Sequence, residues 1–157
     1  MSAISHEPAP MPPPMPPWSP FGAAWQERQQ PGRAPVFARC RGCRSWIWPA
    51  QPFCSRCLGE ECDWGTTSGR GRLLSAVTLH RGMAADGGWP SGWTVGLVAM
   101  EEGPCVWVHL GRVPPSDRDE PVLLAVARDR RGRHVLIAAQ DPDGLEAVSS
   151  ALSGLVG

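Results

Sequence analysis

A chain of 157 residues with 15 basic and 15 acidic side chains has no net charge, and its length allows one ordinary domain or a small metal domain beside a modest second one. Overall neutrality argues against a protein whose binding rests on one strong field, and no apolar run approaches the roughly 18 residues needed to span a bilayer, so the chain reads as soluble. The charge is unevenly placed: residues 32–81 hold eight Arg against three acids, and residues 82–157 hold six Arg against ten acids. Lysine is absent. An all-arginine basic set suits bidentate phosphate contacts, and a GC-rich coding bias would produce the same composition.

Residues 1–20 carry Pro8, Pro10, Pro12, Pro13, Pro14, Pro16, Pro17 and Pro20. Proline at this density permits neither helix nor ladder, so the segment reads as a disordered tail. The segment lacks a charged start followed by an apolar run, so no signal peptide is expected, and a reducing, cytoplasmic compartment is. Residues 21–36 are a short helix and a lead-in. Phe21–Gln30 can form the helix, Pro31 and Gly32 end it, and Phe21 and Trp25 share one face. So short a helix is marginal in water and needs a surface, on this chain or on a partner.

Residues 37–68 are organised by Cys40-Arg41-Gly42-Cys43 and Cys54-Ser55-Arg56-Cys57. Two Cys-x-x-Cys turns at this distance present four thiolates, the set that a tetrahedral, closed, structural zinc site uses. A disulfide pair or four unrelated thiols is the alternative. Cys62 comes after four ligands are already supplied, and Cys105 falls in an apolar strand pattern that reads as core. Trp46 and Trp48 alternate around Ile47 and are expected to cover the metal site or to offer a platform. Asp63–Thr67 reads as a closing strand.

From Ser68-Gly69-Arg70-Gly71 onward, residues 69–140 show five β-type segments: 72–80, 93–100, 105–110, 122–128 and 134–139. A glycine-rich loop, a Glu101–Pro104 hairpin, a proline-rich loop and an Asp129–Arg133 hairpin separate them. Five short strands without an internal helical pattern predict a small closed barrel. Within 141–157, Leu145, Val148, Leu152 and Leu155 have helical spacing. The predicted class is mainly β: an N-terminal helix, a zinc ribbon, a five-stranded barrel and a short C-terminal helix.

Arg39-Cys40-Arg41-Gly42-Cys43, the run Trp48-Pro49-Ala50-Gln51-Pro52-Phe53-Cys54-Ser55-Arg56-Cys57, Trp64 through Gly71, Thr78-Leu79-His80-Arg81 and Val95–Gly103 stand in an order that resembles one family. These are the zinc-ribbon/OB-fold auxiliary proteins that accompany thiolase-like and other acyl-CoA enzymes. The resemblance spans roughly residues 21–140 and weakens after Leu110, where Asp119-Glu120-Pro121-Val122 departs from the usual entry to the fourth barrel strand. It implies a rubredoxin-like ribbon, an OB-fold barrel, and a non-catalytic subunit that docks on a thiolase-like, ketosynthase, aldolase or hydratase enzyme and helps form or bridge its acyl-CoA site. Relatives serve in sterol side-chain degradation, mevalonate synthesis and polyketide-type acetyl transfer. CoA carries a 3′-phosphate and a diphosphate, and in the basic ribbon half Arg41, Arg44 and Arg70 are candidates to contact them at a shared interface, an ordinary solvated face being the alternative for each. Phe21, Trp25, Trp89 and Trp93 are candidates for partner contact, because tryptophan is enriched at interface hot spots.

No nucleophile elbow or comparable catalytic motif is present. His80, His109 and His134 read as structural or surface residues, and a closed zinc site activates no water. The competing reading is a single-stranded nucleic-acid binder, with Trp93 and Trp107 stacking bases. The acidic second half and the neutral total argue against it, because such binding relies on a continuous positive groove.

Overall fold

In a computed structural model, residues 20–80, 92–112 and 119–153 are described, so the tail up to residue 19 and Trp89 lie outside the described residues. The elements in chain order are α1 (Pro20–Arg28), β1 (Val36–Cys40), β2 (Trp46–Ile47), β3 (Cys62–Thr66), β4 (Arg70–Leu79), β5 (Trp93–Met100), β6 (Cys105–Gly111), β7 (Pro121–Arg128), β8 (His134–Ala139) and α2 (Pro142–Ser153). Strands β2, β1 and β3 form one antiparallel sheet, and the rest close a barrel in the order β4-β5-β6-β8-β7, with β6 and β8 parallel. This is the five-stranded OB arrangement. Each predicted barrel strand forms within two residues of its expected limits, because alternation and turn residues agree there.

Alternation sorts the barrel into two layers. Val98, Met100, Val106, Val108, Val122, Leu124, Val126, Leu136 and Ala138 belong to one buried cluster that fills the interior. Ala125, Ala127 and Ile137 belong to a second, with Trp93, Val148 and Leu152, where α2 covers the outer surface of β7 and β8. Val148 and Leu152 are four apart and share one helix face, which is what seats α2.

Ribbon and barrel are not separate packing units. Phe37 of β1 and Trp25 of α1 lie in the same buried cluster as the barrel interior. Phe37 stacks on Trp48 with ring centroids 4.6 Å apart, and Trp25 meets Trp48 edge-on at 5.2 Å. The backbone continues the union: Gly32 N donates to Val126 O at 2.8 Å, Val126 N to Arg33 O at 2.9 Å, and Leu124 N to Gly69 O at 2.8 Å. Gly69 needs its positive φ of 68°, and a Cβ there would lie 3.0 Å from Leu124 O.

Two glutamines fix α1. The Gln26 amide accepts from His134 N at 2.8 Å and donates to His134 O at 2.9 Å. The Gln29 amide does the same for Val36, at 3.0 and 2.9 Å. The helix that sequence left without a surface therefore packs on its own chain, with Trp25 6% exposed and Phe21 37% exposed.

Candidate metal centre

Two turns of the same construction carry the cysteines. In the first, Arg44 N donates to Cys40 O at 3.0 Å and Cys40 N to Ser45 O at 2.9 Å. In the second, Leu58 N donates to Cys54 O at 2.8 Å and Cys54 N to Gly59 O at 2.8 Å. Arg44 and Leu58 both adopt positive φ, 64° and 60°, as each chain turns back after its second cysteine. Equivalent backbone rings aim each pair of side chains at one point.

The sulfurs of Cys40, Cys43, Cys54 and Cys57 all lie within 4.8 Å of one another. Cys40 and Cys57 are 3.5 Å apart and Cys43 and Cys54 3.6 Å. A tetrahedron with Zn–S bonds of about 2.3 Å requires edges of about 3.8 Å, so the donor set fits zinc in number, type and spacing. Gly42 and Gly59 flank the same point: a Cβ would sit in ordinary contact, 3.7 and 3.4 Å from the nearest sulfur, that of Cys40 and Cys57 respectively. Cys40 and Cys54 are buried, and Cys57 is exposed.

The electrostatics point the same way. Hydrogen bonds from the Ser45 hydroxyl, 3.3 Å away, and from its backbone N–H hold the Cys43 thiol down to about 6. The Cys43 backbone N–H holds Cys40 below its usual range. At Cys57 the Gly59 N–H favours the thiolate, but the neighbouring sulfurs of Cys40, Cys43 and Cys54 outweigh it and push the thiol up to about 11. Four thiolates this close cannot all ionise unless a cation neutralises them. With four cysteines and no open position, the site is one closed, structural zinc centre.

Residues 36–63 match the family model of the ChsH2 rubredoxin-like zinc ribbon domain. The resemblance drawn from the two cysteine pairs is thereby borne out over the ChsH2-like ribbon. Among solved structures, a chain of the Ltp2-ChsH2(DUF35) aldolase superposes with a TM-score of 0.67 at 22% identity, covering 78% of this chain and 96% of that one. At that identity the likeness establishes the fold, ribbon and barrel together. No curated protein sequence gives a significant match.

The remaining predicted site residues are scattered. Arg41 is held by Asp63, with Nη2 and Nε 2.8 and 2.9 Å from Oδ1, and lies 3.7 Å from Glu61. The Asp63 carboxylate in turn sits below its usual range because of Arg41. Arg44 lines a groove between the ChsH2-like ribbon and the β5–β6 turn, together with Arg39, Arg56, Trp46, Trp48 and Glu102. Arg70 lines a different cleft of about 430 Å³ beside Arg72. The three arginines do not form one cluster.

Trp25 and Trp93 correct the expectation of a partner surface. Trp25 is buried in the shared core, and Trp93, 0% exposed, lies under α2 with its indole N–H donating to His109 Nδ1 at 3.1 Å. Cys105, expected in the core, is exposed. Alternation on β6 turns Val106 and Val108 inward and so sends Cys105 and Trp107 outward. Trp107, 63% exposed, is the indole that sequence reasoning placed only as a base-stacking candidate. Ser45, beside Cys43, was missed. Its signal in the sequence was its place two residues after a ligand, where a hydroxyl can reach the sulfur.

Proposed function

We propose that this chain is a non-catalytic auxiliary subunit that docks on an acyl-CoA enzyme of thiolase-like, ketosynthase, aldolase or hydratase type and helps form or bridge its acyl-CoA site. The observation that carries the reading is the fusion of a ChsH2-like zinc ribbon to an OB barrel through one core, the same fold over 96% of a chain in the Ltp2-ChsH2(DUF35) aldolase. The metal supports this assignment of roles, since a closed S4 site holds structure and leaves no position for substrate. Arg44 and Arg70 are the stronger candidates for CoA phosphates, because Arg41 is already committed to Asp63. The chain works in a reducing, cytoplasmic setting, where its thiols stay available to zinc.

Isolation of the tagged full-length chain from nuclease-treated source cells tests the proposal. A thiolase, ketosynthase, aldolase or hydratase-fold enzyme should co-purify in stoichiometric amount, and the chain alone should not turn over acyl-CoA thioesters. A bare protein that binds short single-stranded oligonucleotides with steep salt dependence would overturn the reading in favour of a nucleic-acid function. Steady thioester hydrolysis by the pure chain would overturn its non-catalytic part.

A further inference from the structure

The outer surface of the barrel is divided. Over β7, β8 and part of β6 it is covered by α2. Over β4, β5 and β6 it carries apolar side chains in water. The register places Ser75 opposite Leu97 and Leu97 opposite Trp107, with Val77 opposite Val95 in the next row and Ala99 opposite Cys105 in the row before. Directly opposed residues share a face, so Val77, Leu97 and Trp107 form one patch, with Val95 at its border against the cluster under α2. Trp107 is 63% exposed and Val77 53%. Solvated aliphatic rows around an exposed indole are the composition of a protein contact.

At one end the patch runs through Ala99 and Leu74 into the cleft of about 430 Å³, whose walls include Met100, Pro121 and Leu123 and whose charged groups include Arg70 and Arg72. Arg72 Nη1 is steadied by Asp119 O at 2.8 Å. Both arginines lie on exposed positions of β4, two residues apart and therefore on one face. Glu101 and Asp119 line the same cleft, so the patch offers an aromatic centre, an anchor cleft and an edge of mixed charge on which Arg70 and Arg72 are the exposed cations.

We infer that the β4–β5–β6 face is the docking surface for the partner enzyme, and that it receives an apolar protein surface edged by Asp or Glu that pairs with Arg70 and Arg72. This rests on the auxiliary-subunit reading. The outer face of the second and third barrel strands is also where OB folds lay oligonucleotides. Here, among the described residues, the stretch around Trp107, Leu97 and Val77 is largely apolar, with Arg70 and Arg72 beyond one end and Arg112 just past the other end of β6, whereas a single strand needs a positive track along its whole path.

The test uses the complex of the full chain with the enzyme that co-purifies with it. Cys105 is an exposed thiol in the row beside Trp107, so its alkylation by iodoacetamide, followed by peptide mass spectrometry, reports directly on the face. Alkylation of Cys105 should slow at least tenfold in the complex. Trp107→Ala should weaken binding about thirtyfold or more, and Val77→Asp should weaken it similarly, both with unchanged zinc content and circular dichroism. Unchanged affinity of both variants together with undiminished Cys105 labelling would place the interface elsewhere and overturn the inference while leaving the auxiliary role standing. If no enzyme co-purifies, both fail together. Self-association of the free chain that Trp107→Ala abolishes would make a second copy the occupant, and salt-dependent quenching of Trp107 by oligonucleotides would make it nucleic acid; either outcome overturns the proposal.

Discussion

Replacing Cys54 with serine is expected to empty the metal site and to weaken the barrel as well as the ribbon. Cys54 is buried and its sulfur is 3.6 Å from that of Cys43, so the hydroxyl leaves three thiolates that no longer surround the ion. Structural zinc contributes about 10–16 kcal/mol in small metal domains, which is comparable with the whole stability of an ordinary domain. The loss should spread because Phe37 and Trp25 share a cluster with the barrel interior. Truncating a single buried aromatic costs about 3–5 kcal/mol, and a displaced ribbon withdraws both, so the barrel should melt at least about 10 °C lower. Zinc measured by elemental analysis and a thermal melt followed at the tryptophan bands check both halves. One zinc per chain in Cys54→Ser would refute the ligand assignment, and an unchanged barrel melt with the zinc lost would refute the coupling.

Acid should destabilise the protein through His109. Burial on β6, opposed by the Asp129 charge and aided more weakly by Arg133, pushes its imidazole down to about 4 from 6.5. The Trp93 indole N–H already donates to Nδ1, and a protonated ring could not accept it. The folded state therefore resists a proton that the unfolded chain takes up readily. This stabilisation is fully present above 6.5 and is lost as the pH falls from 6.5 towards 4, by about 3 kcal/mol in all. His109→Gln keeps an acceptor for Trp93 and removes the titration. Denaturant titrations from pH 7.5 to 4 should show the slope of wild type flattened in the variant. Zinc loss at low pH affects both proteins alike and cancels in the comparison. Identical pH profiles would exclude His109 as the cause.

Most of the architecture was legible because several local signals agreed. The cysteine pairs, the Glu101–Pro104 turn and the alternation in 93–100 and 105–110 each pointed to one structure. The limits came from registers that pattern alone does not fix. Cys105 looked like core because its segment is apolar, yet Val106 and Val108 own the inward positions and leave Cys105 and Trp107 outside. Trp93 looked like part of a flexible loop, and whether it was buried depended on where α2 would sit, a contact between residues more than 50 positions apart. Arg41 looked available to a phosphate until the pairing of β1 with β3 brought Asp63 to it. The metal ligands needed no such distant information, since each pair is built within one turn.

Gln26 and Gln29 do the work of peptide groups, each presenting an N–H and a C=O to the two faces of a backbone residue. That role depends on the amide being an amide. Slow hydrolysis of Gln26 in an ageing molecule would set a carboxylate oxygen against the carbonyl of His134, turning a donor into a second acceptor and repelling the seam it now closes. A carboxamide at this place is thus also a clock: the attachment of the first helix would record the chemical age of the protein.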